Sequence, residues 1–188
     1  MLDQARLKLR YNTLRHAIGD KRLIFATPKD NNRPQFVCLL YATCALGALY
    51  EDGHDDSSAW ASWYFAEAQS MLGRLLGASN LDLAQAAILL GAYAQHAMKP
   101  NLAYNLNGIA ARLAYSIGLN VESLHRSSGF DQEEAKRTWA IIYIQEIELS
   151  LDAGRPSSIH AADMDMSYPS TKLSPTKSPQ AEIVSIIA

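Results

Sequence analysis

The sequence predicts an all-α fold, an irregular antiparallel array of about six to seven helices. Apolar residues recur at the helical period in one segment after another, and strand-like alternation competes nowhere. The segments are also similar in length, with turn-forming stretches between them. The period is clearest over residues 100–119, where Leu102, Leu106, Ile109, Leu113 and Ile117 form one stripe. Ala103, Ala110 and Ala114 widen it, Tyr104, Ala111 and Tyr115 lie opposite, and the polar remainder is narrow (Asn101, Asn105, Arg112 and Ser116, with Gly108 beside them). A helix apolar around most of its circumference packs between several neighbours, so this segment is expected to be the central one. Pro100 suits its start and Gly118 its stop.

The other elements follow from the same reasoning. Residues 2–18 read as an amphipathic helix with Leu7, Tyr11, Leu14 and Ile18 on one face. Arg6, Arg10 and Arg15 lie across from them as a solvated outer face, and Gly19 ends the run. Leu23-Ile24-Phe25 is a short apolar anchor before the turn-rich TPKDNNRP. A second helix is expected over 35–50 and a third over 59–76, capped by Ser57 or Ser58. In the third, Trp60, Tyr64, Met71, Leu72 and Leu75 supply bulk, while Ala61, Ala66 and Ala68 allow close approach. Ser79 or Asn80 caps a buried fourth helix over 81–98. After the helix at 100–119 comes the polar loop NVESLHRSSGF. Asp131 then caps a sixth helix, with Glu134 completing a capping box. That helix carries Trp139, Ile142, Ile147 and Leu151, and ends at Gly154-Arg155-Pro156. SPTKSPQ beyond has linker composition, and AEIVSIIA opens a further apolar helix whose missing partner predicts marginal stability and association. No 34-residue recurrence supports a tetratricopeptide array.

The chain of 188 residues suffices for one domain with a sizeable core, and 48% hydrophobic against 19% charged residues is globular composition. A net charge of −2 makes no electrostatic case for nucleic acid or an anionic membrane surface. The N-terminus lacks signal-peptide character, and the most apolar run, Ala86–Ala94, is too short to span a bilayer, so an intracellular protein is expected. Cys38 and Cys44, six apart in one apolar segment, read as buried thiols rather than a redox or metal pair. The histidines (His16, His54, His96, His125 and His160) form no ligand spacing, and His96 reads as a core histidine. Gly53-His54-Asp55-Asp56 and Asp163-Met164-Asp165 are weak metal loops, better read as solvated turns. With no phosphate-binding glycine loop, serine elbow or Cys/His pairing, no catalytic residue and no cofactor is assigned, and the chain is not read as an enzyme.

Taken in order, several stretches resemble the fungal-specific transcription factor domain, the middle homology region of zinc binuclear cluster regulators. Ala42-Thr43-Cys44-Ala45-Leu46-Gly47-Ala48-Leu49 looks like that family's "A-x-x-A-L-G-A" helix. LAQAAILLGAY, residues 83–93, is similar to its apolar helix beginning near a glutamine. Gly108 to Ala114, then Ile117-Gly118-Leu119, looks like "G-x-A-x-R-x-A…x-G-L", with Arg112 as its arginine. The helix from Glu134 through Trp139 leads into Gly154-Arg155-Pro156 as the family's does, and Asp163, Asp165 and Pro169 resemble "D-x-D-x-x-x-P". The chain departs at Ala140 (usually a second tryptophan), Glu146 (usually aspartate) and Asn120 (often histidine).

The resemblance covers residues 23–170, flanked by an N-terminal amphipathic helix at 1–22 and by a linker with the start of a truncated helix at 171–188. It implies a regulatory, effector-response domain in the nucleus that modulates transcription. The implied partners are transcription machinery or co-regulators, a small-molecule effector and a second copy, with no membrane. The family's six-cysteine zinc cluster is absent from this sequence, so zinc and DNA contact are expected only through a domain outside it, and the chain is expected to be incomplete at both ends. The alternative is a stand-alone helical module that binds a small molecule or a protein and has no DNA-binding role. Glu146, sharing a face with Trp139, Ile142, Tyr143 and Ser150, is expected to be at least partly buried and to need donors. Arg112 is the first choice of partner and Arg155 the second; otherwise Glu146 is solvated and Arg112 points to water.

Overall fold

A computed structural model describes residues 4–19, 33–51, 57–125, 131–165 and 167. The helices are α1 (Gln4–Gly19), α2 (Arg33–Leu49), α3 (Ser57–Leu75), α4 (Leu81–His96), α5 (Pro100–Ser116), α6 (Glu122–His125) and α7 (Gln132–Ala153), with a 3₁₀ turn at Ala161–Asp163. Among the described residues the single extended pairing is a parallel bridge between Val121 and Asp165, so the class is all-α. The Leu23–Phe25 anchor, most of the loop after it, Gly53–Asp56, Pro169 and everything from 168 onward lie outside the described residues.

Two caps were legible in the sequence; Ser57 and Ser58 instead lie inside α3, and the Glu134 carboxylate goes to Arg6 and Gln85 rather than closing a capping box. The Asn80 side chain accepts the Leu83 amide at 2.9 Å, and Asp131 accepts the Glu134 amide at 3.1 Å. Three helices end in one geometry, the Schellman motif: a six-residue backbone bond closes over a residue with positive φ. In α5 that residue is Gly118, with Leu119 N–H donating to Ala114 O; in α7 it is Gly154, with Arg155 N–H donating to Ser150 O. In α4 it is Met98 at φ 58°, with Lys99 N–H donating to Ala94 O. Without a glycine there, the sequence pattern runs on to 98, while the helix stops at His96.

The central position belongs to α4, not to α5 as its periodicity suggested. Leu81 through Gly91 is buried without interruption, and α4 packs against α2, α3, α5 and α7. By contrast α5 packs on α4 and α7 alone among the described helices. Alanines carry the close contacts: Ala42, Ala45, Ala61, Ala68, Ala103 and Ala110 are fully buried. The α5 backbone lies close to Gly91: an added Cβ would meet Asn107 N at 3.6 Å, an ordinary contact.

Other expectations shift for local reasons. Trp60 is 53% exposed and Ala66 is exposed; Phe65, stacked on Tyr93 at 4.4 Å, fills the core instead. Cys38 is buried, its Sγ 3.4 Å from Ala68 O, but Cys44 lies exposed on the far side of α2. His96 is exposed at the C-terminus of α4, where its Nε2 meets Tyr50 Oη at 2.6 Å. Tyr11 and Leu151 are exposed. The arginine face of α1 is not simply solvated. Arg6 pairs with Glu134, and Arg10 grips Asp82 with two bonds of 2.7 and 2.6 Å while lying over the Phe36 ring.

Candidate functional site

The site grows from an amide on the small-residue face of α5. Asn107 sits among Ala103, Ala110, Ala111 and Ala114, all fully buried as it is itself. An amide there must find partners within the protein. Its Nδ2 donates to Glu146 Oε2 on α7 at 2.5 Å. The other carboxylate oxygen accepts from Ser158, from its backbone N at 2.7 Å and from its hydroxyl at 2.6 Å. Glu146 is 1% exposed, so three neutral donors hold a buried carboxylate.

Ser158 reaches Glu146 because the Gly154 cap and Pro156 turn the chain back along α7. The segment from Gly154 to Asp165 then forms a strap fastened at several points. Arg155 Nη2 donates to Asn101 Oδ1 at 2.5 Å, and its guanidinium lies over the Tyr104 ring. Tyr104 Oη donates to Pro156 O at 2.9 Å, and Ile159 is buried beneath. At the far end, Asp165 N–H donates to Asn120 O and Asp165 O accepts from Glu122 N–H. Asn120 Nδ2 adds a bond to Asp163 O at 2.8 Å. Glu122 accepts from Lys136 Nζ at 2.6 Å and from the Ser167 amide and hydroxyl. These donors hold the Glu122 carboxyl down to about 2, with the Lys136 hydrogen bond the largest cause.

Next along the α5–α7 interface, Tyr115 packs edge-on to Trp139 at 5.4 Å. Burial pushes the Tyr115 hydroxyl above its usual range, and the negative charges of Asp163 and Glu146 push the same way. Gln85 of α4 donates to Glu134 and Thr138 at 3.0 and 3.1 Å. Among the described residues no group meets Asn107 Oδ1, Gln85 Oε1, Trp139 Nε1 or Ser150 Oγ, all buried, so the described interface keeps unspent polar capacity.

The sequence-selected residues divide accordingly. Glu146 is at the centre, Trp139 two turns away on the same helix, and Gly154, Arg155 and Pro156 build the strap. Neither arginine pairs with Glu146. Arg112 is exposed on the opposite side of α5, and Arg155 is engaged by Asn101 and Tyr104. Gly108 is half-buried, and a Cβ added there would touch nothing. Asn107 and Ser158 were missed. Asn107 had a signal, being a polar residue at helical spacing from Ala103, Ala110, Ala111 and Ala114; Ser158, outside any helix, had none.

Two further features bear on chemistry. Trp60 and Trp63 contact each other and Tyr64 on the outer face of α3, and Trp63 and Tyr64 contact Tyr41 of α2, forming an aromatic cluster at the surface. Among the described residues, no three His, Cys, Asp or Glu side chains are grouped to hold a metal ion, and Cys38 and Cys44 do not fit a thiolate cluster. No described helix is long and apolar enough to cross a membrane.

The family model for the fungal specific transcription factor domain matches residues 8–183. The lactose regulatory protein LAC9 of Kluyveromyces lactis is 34% identical over 147 residues, 76% of this chain and 16% of that protein. Activator of stress genes 1 of Saccharomyces cerevisiae is 30% identical over 146 residues, 72% of this chain and 15% of its own. Transcription factor FBD3 of Gibberella moniliformis is 34% identical over 103 residues, 54% of this chain and 14% of its own. This chain therefore spans less than a fifth of the length of each of these three relatives. No solved structure matches the chain at a significant level.

Proposed function

Because the chain belongs to the fungal-specific transcription factor domain family, we propose that it serves as the regulatory domain of a fungal transcription factor and modulates transcription without itself binding DNA. The observation that carries this reading is the family match across residues 8–183, joined by relatives named as regulators. In this reading the protein acts in the nucleus, zinc and DNA contact reside in a domain outside residues 1–188, and the span 23–170 carries the regulatory role. Transcription machinery or co-regulator proteins are the partners, and the aromatic cluster of Tyr41, Trp60, Trp63 and Tyr64 supports a protein contact. A small-molecule effector and pairing of two copies complete the reading. The unspent polar atoms at Asn107, Trp139 and Ser150 support an effector with polar groups. The net charge of −2 weighs against phosphate-backbone binding.

The test is repeated selection of random duplex DNA on the purified chain at about 0.15 M salt. The expected outcome is a pool without an enriched sequence. A reproducible consensus, retained at that salt, would overturn the division of labour proposed here.

A further inference from the structure

Ser158 is an exposed residue in irregular backbone whose hydroxyl nevertheless ends on a buried carboxylate. That combination makes the strap's fastening depend on one chemically modifiable oxygen. The residues before it read Arg155-Pro156-Ser157, which places an arginine three positions ahead of the serine. Kinases with an acidic subsite select serines in extended chain by such an arginine. For Ser157 the same arginine stands only two positions ahead, and its hydroxyl bonds within the strap to Ile159 rather than to Glu146.

We propose that Ser158 is a phosphorylation site for an arginine-directed serine kinase, and that its modification releases the strap from Glu146. In the transfer, Ser158 Oγ bonds to the γ-phosphorus of ATP, and the bond from that phosphorus to the bridging oxygen of ADP breaks. The hydroxyl proton leaves to the kinase's base, and ADP departs. The change at the node is a reversal of sign. The unmodified hydroxyl donates to Glu146 Oε1 at 2.6 Å; a phosphate there sets a second anion against a carboxylate that no cation among the described residues pairs with. The Ser158 amide bond and the cover over Ile159 are lost with it. The far fastening at Asp165, Asn120 and Glu122 then loses its anchored end. The hydroxyl must leave Glu146 to enter a kinase, so modification captures the lifted strap rather than forcing it open.

The chain is incubated with ATP and calmodulin-dependent protein kinase II, which reads an arginine at that position, and phosphate is mapped by mass spectrometry. Phosphate is expected on Ser158, absent from Ser158→Ala and slowed about 10-fold in Arg155→Gln. Amide hydrogen exchange at Ser158, Glu122 and Asp165 is expected to quicken about 10-fold or more in the phosphorylated chain, while the core of α4 keeps its protection. Ser158→Asp, which needs no kinase, should move the same amides in the same direction. Glu146→Gln in the phosphorylated chain should return part of the protection, because a neutral amide can donate to phosphate. A Ser158 left unmodified, or a modified chain whose strap amides exchange as before, would overturn the proposal.

Discussion

Asn107 and Glu146 meet across α5 and α7 through one hydrogen bond of 2.5 Å, with both side chains out of water. The bond joins the helix that flanks the core to the one that carries the strap. Asn107→Ala removes one of three donors from a buried carboxylate and should destabilise by ~2–4 kcal/mol. Glu146→Gln should cost less, ~1–3 kcal/mol, because the Asn107 amide can turn its oxygen toward the new donor. Chemical denaturation of the singles and the double should give a double cost at least ~1 kcal/mol below the sum. Arg112→Gln should stay within about 0.5 kcal/mol of wild type.

Met98 occupies the left-handed position that glycine fills in the other two Schellman caps. The residue is 85% exposed, so Met98→Gly loses little packing. Relief of the left-handed strain, set against a more flexible unfolded chain, should leave a gain of ~0.5–1 kcal/mol in thermal or denaturant unfolding. Gly118→Ala should go the other way, by ~1–2 kcal/mol, because of its φ of +71°; the new Cβ lies 2.8 Å from Cδ1 of the exposed Leu124, whose side-chain end can turn aside. Gly154→Ala, where a Cβ meets nothing, should cost about the same, ~1–2 kcal/mol.

Much of the fold was legible because caps and periods are local. Asn80, Asp131, Gly118 and Gly154 mark boundaries by their own side chains or lack of one, and they hold in the structure. What failed was rank among helices. The stripe of α5 and the continuous apolarity of α4 both predict burial, but only packing decides which is surrounded. Trp60 and Cys44 show the same limit, since an apolar residue on a helix declares no direction when most of the circumference is apolar. The site was half-legible: a carboxylate among apolar neighbours announced Glu146, whereas a strap serine 12 residues on as its partner is a tertiary fact.

The two thiols should separate cleanly under alkylation. Cys38 is buried and its thiol is pushed up to about 12 by desolvation, while Cys44 is exposed with a smaller upward shift from the same cause. Iodoacetamide on the native chain near pH 8 should label Cys44 alone, and both cysteines only after denaturation. Equal native labelling would contradict the packing of α2 on α3.

Acid should loosen the far end of the strap late. Glu122 has its carboxyl depressed from 4.5 to about 2, so its contribution is present above the unfolded value and is lost as pH falls through about 2. Carboxyl titration by NMR should place its midpoint near 2, rising toward 4.5 in Lys136→Met and at high salt. A wild-type midpoint near 4.5 would mean that Lys136 and Ser167 do not hold it.

The most direct measurement of the regulatory role tethers this chain to a heterologous DNA-binding domain upstream of a reporter gene in a yeast. The expected result is reporter output shifted, up or down, from that of the DNA-binding domain alone, with the shift lost in Asn107→Ala at equal fusion abundance. Output identical to the DNA-binding domain alone, from a fusion present in the nucleus at equal level, would contradict a transcription-modulating domain.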